Sequence, residues 1–323
     1  MSYAIRIHQN GGPEELRWEE VAVDRPGVGE VLVRNEAVGL NFIDVYYRTG
    51  LYSTPVPFTP GFEGAGVVEE IGPEVAGFQV GDRVGYIDPP GAYAERLLRP
   101  AERLIKLPGS ISFEVAAASL LKGLTAEYLV RRTYQVRAGD TVLVHAAAGG
   151  VGQILCQWAT HLGATVIGTV GDEAKIATAQ QAGCQHVINS RVDSVPERIR
   201  ELTGGAGVPV VYDGVGKDTF VDSLDCLAPR GLMVSFGNAS GAVESFSPVL
   251  LAQKGSLYLT RPALGTYTQK REDLLESAAA LFDVLDSGAV TVPINHTWPL
   301  AEAGAAHRAL EARQTTGSCL LMP

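Results

Sequence analysis

Residues 141–152 read TVLVHAAAGGVG and constrain the chain more than any other stretch, because an apolar run of strand character passes straight into a turn almost devoid of side chains. A main chain brings its N–H groups close to a pyrophosphate at a helix N-terminus only where side chains are nearly absent. Ala147, Gly149 and Gly152 take the three positions of a G-x-G-x-x-G pattern, with alanine first. An amphipathic stretch at 153–162 predicts a helix beginning near Val151, Gly163 stops it, and 164–170 has the composition of a second strand. Strand, glycine turn, helix and strand within roughly 30 residues form the βαβ unit that makes such a turn a dinucleotide cradle.

A chain of 323 residues exceeds what one core usually supports, so two domains are expected. Up to about residue 110, short β-rich runs at 4–7, 30–37, 64–71 and 83–86 alternate with Gly/Pro turns, which predicts an antiparallel, partly barrel-like domain. From about residue 112 helices and strands alternate, which predicts a parallel sheet with further strands at 187–188, 208–213, 231–236 and 256–260. Helices at 271–285 and 301–312 and strands at 294–298 and 318–322 have no place in a sheet already filled. They are expected to return to the first domain. The fold class is therefore α/β: a β-rich domain over 1–121 and 264–323, and a doubly wound parallel sheet over 122–263.

A net charge of −10, with basic residues only in short pairs such as Arg131-Arg132, argues against a nucleic-acid partner. Apolar runs end well before the ~20 residues of a membrane helix. The chain starts like a strand rather than with a basic and then apolar leader, so a cytoplasmic location is expected. The sequons at Asn238 and Asn295 then read as chance matches. Cys156, Cys184, Cys226 and Cys319 lie far apart without a C-x-x-C, which suggests free buried thiols.

Eight segments taken in order are more specific: 39–44 (GLNFID), 61–64 (GFEG), 81–84 (GDRV), 122–125 (KGLT), 145–152 (HAAAGGVG), 211–216 (VYDGVG), 232–238 (LMVSFGN) and Thr260-Arg261-Pro262. Through them the chain resembles, end to end, the zinc-free quinone oxidoreductases of the medium-chain dehydrogenase/reductase superfamily, the group that includes zeta-crystallin. The resemblance implies a GroES-like catalytic domain and a Rossmann domain with a nucleotide cleft between them. It also implies NADPH as reductant, a quinone as substrate, and a homodimer joined through Rossmann edge strands.

Zinc-dependent relatives carry cysteine where this chain has Asn41 and histidine where it has Phe62, and no cysteine occurs before residue 156. An amide and a phenyl ring supply neither thiolate nor imidazole, so no metal is expected. A quinone spreads incoming charge over a conjugated system and needs no Lewis acid, which favours quinones or enones over simple alcohols. An NADPH-dependent enone or 2-alkenal reductase and a non-catalytic NADPH-binding protein remain the alternatives.

Where NAD-specific domains place an acid against the ribose 2′-OH, this chain has Val170 and Gly171, with Lys175 a few residues on as a cation for a 2′-phosphate. Asp172 would oppose this if it pointed inward. Ser190 stands where close relatives often carry tyrosine, with Arg191 beside it. By resemblance, Asn41 and Thr125 lie near the nicotinamide, and Tyr46 and Tyr52 line the quinone pocket. Asn41 would offer an amide N–H to a developing oxyanion. Ala148, Gly149, Gly150 and Val151 belong to the cradle, while Gly214, Gly216, Phe236, Gly237, Asn238 and Arg261 lie at later strand ends. Tyr47 reads as packing, His145 as a strand end bonded to a neighbouring loop, and Asp44 and Glu63 as loop anchors. No general acid is assigned.

Overall fold

In the computed structural model, which describes residues 2–323, the β-branched and small residues of EVLVRNEAVGL form an 11-residue strand, Glu30–Leu40. Its apolar side chains Val31, Val33, Val38 and Leu40 enter a core shared with Val84, Tyr86, Leu104 and Leu321. Each such buried side chain contributes about 2 kcal/mol. Glu30–Leu40 pairs antiparallel with Glu63–Ile71 along one edge, and with Arg96–Pro100 and then Ser318–Met322 along the other. Arg83–Ile87 and Leu104–Lys106 extend the sheet on one side and Ile294–Pro299 on the other, giving seven strands in all. The strand ends at Leu40. Asn41 is extended (φ −138°, ψ 154°) and begins the helix Phe42–Thr49, which Gly50 terminates in the left-handed conformation.

The second sheet has six parallel strands in the order His186–Asn189, Thr165–Val170, Thr141–Val144, Val208–Asp213, Leu227–Ser235 and Tyr258–Thr260. The order reverses between Thr141–Val144 and Val208–Asp213, the topological switch point of a doubly wound fold. Val142, Leu143, Val144, Val210 and Val211 are fully buried, as expected where helices cover both faces of a parallel sheet. Leu143, Ile167, Ile188 and Val211 pack with Ile199, Phe220 and Leu224 of the flanking helices.

The chain thus divides into two units. One runs to Leu124 and resumes over Thr268–Asp286 and Val292–Pro323; the other comprises Thr125–Tyr267 and Ser287–Thr291. The change-over falls inside the helix Phe113–Tyr128, where no linker-like residue marks it. All four cysteines are buried and free. Among the described residues, no helix is long and apolar enough to cross a membrane.

Candidate active site

In the second unit, the turn after Thr141–Val144 is built from main chain and vacancies. Ala146 adopts φ +52°, the Ala147 N–H donates to the Thr169 carbonyl at 2.9 Å, and the Gly149 N–H returns to the Ala146 carbonyl at 2.9 Å. Gly149 caps the helix Gly150–His161 without a side chain. A Cβ at Gly152 would stand 2.3 Å from the Ala146 oxygen, so only glycine fits. Ala147 can replace the first glycine because its neighbour makes room: a Cβ on Gly168 would meet the Ala147 methyl at 2.7 Å. Gln153 donates to the Ala148 carbonyl at 2.8 Å and occupies that acceptor. The free N–H groups of the first helical turn and the macrodipole then face whatever enters the turn, a setting suited to a pyrophosphate.

The ribose end is open. A Cβ on Gly171 would find as its nearest neighbour the Arg191 Nε at 3.9 Å. Lys175, half-buried, closes the short 3-10 turn Glu173–Lys175. Asp172 is exposed and its Oδ1 accepts the Ala174 N–H at 2.9 Å, so its charge caps this turn. The Ser190 hydroxyl donates to the Val170 carbonyl at 3.2 Å. Gly171, Lys175, Ser190 and Arg191 therefore gather where Thr165–Val170 and His186–Asn189 end.

Two further strand ends lean on one another. The ring of Phe236 lies 2.9 Å from where a Gly214 Cβ would be, and a Gly237 Cβ would meet the Gly214 oxygen at 2.4 Å. Asp213, fully buried, accepts the N–H groups of Val215 and Gly216 at 2.7 and 3.0 Å and fixes this loop. Arg261 donates to the Ser235 carbonyl at 3.0 Å. Thr125 is buried on Phe113–Tyr128. His145 spans Thr169 Oγ1 and Ser223 Oγ, both at 3.0 Å, and burial lowers its pKa, so it stays neutral and braces two elements.

In the first unit the site is made of buried charge. Glu63 Oε2 accepts Asn41 Nδ2 at 2.7 Å and Lys122 Nζ at 2.9 Å, and Oε1 accepts the Leu121 N–H at 2.9 Å. Gly39 is obligatory beside it, since a Cβ there would lie 2.4 Å from Glu63 Oε2. The second contact of Asn41 Nδ2 is the Gly39 carbonyl at 3.4 Å. Both amide hydrogens are thus committed inside the protein, and the end that Asn41 can offer is the carbonyl Oδ1, an acceptor. This corrects the expectation that Asn41 donates to an oxyanion: the carboxylate beneath it dictates the opposite polarity.

Tyr46 and Tyr52 meet edge to face at 5.3 Å, and the Tyr52 N–H donates to the Tyr46 carbonyl at 3.1 Å. Tyr47 joins them, 5.6 Å from Tyr52 and 4.8 Å from the tilted ring of Phe62. Burial and the nearby Asp88 raise its pKa, which keeps the hydroxyl protonated. Tyr47 is therefore part of the same aromatic wall. These ring contacts agree with the expectation that Tyr47 packs.

Comparison with known proteins settles the lineage. Residues 27–136 match the alcohol dehydrogenase GroES-like domain and residues 150–281 the zinc-binding dehydrogenase domain. The chain is 52% identical to a quinone oxidoreductase of Pseudomonas aeruginosa over 325 aligned residues, covering all of both chains. It belongs to the quinone oxidoreductase family of the medium-chain dehydrogenases/reductases. The crystal structure of Escherichia coli quinone oxidoreductase complexed with NADPH shares its fold with a TM-score of 0.98 at 49% identity, over 99% of this chain and all of that one. A 2-haloacrylate reductase of Burkholderia sp is 48% identical over all of this chain and 99% of its own. Within this family frame, the sequence reading leaves Lys122 without a part and gives Glu63 only that of a loop anchor. The pair supports Asn41 from beneath, and the KGLT and GFEG segments carrying it gave no sign of being neighbours.

Proposed function

We propose that the protein reduces quinones with NADPH by metal-free hydride transfer. The ribose end carries this reading: Gly171 leaves room, Lys175 and Arg191 bring positive charge, and the Asp172 carboxylate is engaged in its own turn. The relative of known structure from Escherichia coli was solved with NADPH, which supports the same choice.

In this reading Ala148, Gly150 and Val151 present main-chain N–H groups to the pyrophosphate, Gly149, whose own N–H closes the turn on Ala146, lets it approach without a side chain, and Gly171, Lys175 and Ser190 receive the 2′-phosphate end. Thr125, Gly214, Gly216, Phe236, Gly237, Asn238 and Arg261 serve the nicotinamide nucleotide. Asn41 accepts a hydrogen bond from that nucleotide's hydroxyl or carboxamide N–H, since a quinone has no donor to give it. Tyr46 and Tyr52, with Tyr47, offer flat apolar surface and hydroxyl donors to the acceptor. Bound NADPH supplies the hydride; the protein's part is positioning, exclusion of water and hydrogen bonding to the quinone oxygens. The residue types at 41 and 62, an amide tied to Glu63 and a phenyl ring, are not zinc donors.

The reading includes a cytoplasmic homodimer. The edge strand Tyr258–Thr260 supports the dimer, because Tyr258 is 62% exposed and the strand has no outer neighbour among the described residues. Sedimentation would give twice the chain mass. Parallel NADPH-oxidation assays with 1,4-benzoquinone, 1,2-naphthoquinone and a 2-alkenal test the activity, with the quinones expected to turn over faster. Faster alkenal reduction would move the protein to the enone class, and tight NADPH binding with no acceptor reduced would make it a binding protein.

A further inference from the structure

The unit that carries Asn41 also holds a buried polar chain that the proposed chemistry leaves unused. Asp44 accepts the main-chain N–H of Asn41 on Oδ2 at 2.8 Å and the Tyr93 hydroxyl on the same oxygen at 2.9 Å. Tyr93 Oη lies 3.0 Å from His307 Nε2, and His307 Nδ1 lies 3.0 Å from Arg48 Nη1. Arg48 also binds Glu311 with both terminal nitrogens, at 2.9 and 2.7 Å, and the Gly11 carbonyl through Nε at 3.1 Å. Asp44, Tyr93, His307 and Arg48 are all buried; only Glu311, with 34% of its side chain exposed, reaches solvent.

Donor accounting leaves one arrangement. Arginine only donates, so His307 Nδ1 accepts and its proton sits on Nε2. Nε2 donates to the Tyr93 oxygen, and the single Tyr93 proton goes to Asp44. The chain runs one way, Arg48 to His307 to Tyr93 to Asp44, and ends on the residue that holds the Asn41 main chain. Arg48 and Asp44 belong to Phe42–Thr49, whereas His307 and Glu311 belong to the C-terminal helix Ala303–Glu311. The C-terminal helix therefore holds Phe42–Thr49 directly at Arg48 and, through Tyr93, at Asp44.

We propose that His307 and Tyr93 are positioning residues for Asn41, holding its main chain through Asp44 and so aiming its amide carbonyl. This deepens the proposed function and rests on Asn41 facing the nicotinamide nucleotide. An arginine cannot release its proton, so the chain is a clamp and not a wire to solvent.

The clamp has a signature in proton uptake. Burial pushes Asp44 up to about 7 from an ordinary 3.8, against the opposing pull of its bonds to Asn41 and Tyr93 and of Lys122, while Glu63 adds to the rise. Burial and then Arg48 push His307 down to about 3 from 6.5. Tyr93 between them stays protonated, raised by burial and by Asp44, with Arg48 opposing and Cys319 adding. Between about pH 4 and 6.5 the folded pair holds one proton, on Asp44, and the unfolded pair also holds one, on histidine. Asp44 alone would make stability fall as pH rises from about 4 to 7, because the folded state then binds more protons. His307 alone would make it rise from about 3 to 6.5, because the unfolded state does. Together they cancel.

Three variants test this: His307→Leu, which removes both bonds; His307→Gln, whose carbonyl and amide reproduce the acceptor and donor; and Tyr93→Phe, which cuts the link to Asp44 with little change of volume. NADPH dissociation constants by fluorescence, kcat and KM, and urea-unfolding stability from pH 4 to 8 are measured on each. His307→Leu and Tyr93→Phe are expected to lose roughly ten- to a hundredfold in kcat/KM through misplacement, and His307→Gln to stay within about threefold. His307→Gln is further expected to show stability falling from about pH 4 to 7 relative to wild type, because Asp44 then titrates unopposed. If wild type neither binds nor oxidises NADPH, the functional reading fails. If wild type does both and Tyr93→Phe and His307→Leu match it, or His307→Gln turns over as poorly as His307→Leu, the clamp is overturned. Should His307→Leu not fold, Tyr93→Phe and the pH profile of His307→Gln decide alone.

Discussion

The cradle after Thr141–Val144 and the setting of Asn41 solve opposite problems. The cradle works by what is missing: a Cβ at Gly152 would collide with the Ala146 oxygen at 2.3 Å. The Asn41 setting works by what is buried, with Glu63 accepting from Asn41, Lys122 and Leu121 at 2.7 to 2.9 Å. A site made of vacancies fails when something is added. A site made of buried charge fails when something is taken away, because the partner left behind has lost its solvent as well.

Substitutions should separate the two modes by size. Lys122→Met should be the costliest, about 3–5 kcal/mol of unfolding free energy by urea titration, since Glu63 would be left with an uncompensated buried charge. An unchanged midpoint would mean that Asn41 and Leu121 suffice for Glu63. Gly152→Ala should come next, about 1–3 kcal/mol less stable from overpacking and with NADPH affinity lowered more than tenfold. Equal affinity would show that the pyrophosphate does not approach this turn. Lys175→Ala should weaken NADPH by roughly tenfold, the worth of one charge-assisted bond, and leave NADH alone. Parallel loss for both nucleotides would remove the 2′-phosphate from this lysine. Tyr47→Leu should be smallest, raising KM for a quinone by about two- to fivefold through the lost aromatic contact with Tyr52. A matching rise in KM for NADPH would place Tyr47 on the cofactor side instead.

The same contrast explains what could be read in the chain beforehand. The parallel sheet and its glycine turn were legible because a vacancy is written at one place: Gly149 and Gly152 belong to a single turn. The absence of zinc-donor types at 41 and 62 was equally local. The partners of Asn41 were not legible, because Glu63 lies 22 residues away and Lys122 joins Glu63 across 59. Arg48 and His307 are 259 residues apart, and no periodicity encodes such a meeting. Asp44 and Glu63 could be taken as anchors from their segments. Which way Asn41 presents its amide depends on the carboxylate beneath it, and that is a tertiary fact.

The room made for Ala147 has a hereditary consequence. Its methyl occupies space that Gly168 leaves empty, and Cys184 Sγ, which would lie 2.6 Å from a Cβ there, closes the other side. Position 168 is therefore not free to gain a side chain while 147 and 184 keep theirs. A lineage that restores glycine at 147 relieves only one of the two collisions and still cannot put a methyl at 168 until position 184 also shrinks. Across descendants of such a chain, glycine at 168 should be replaced only after both 147 and 184 have become smaller.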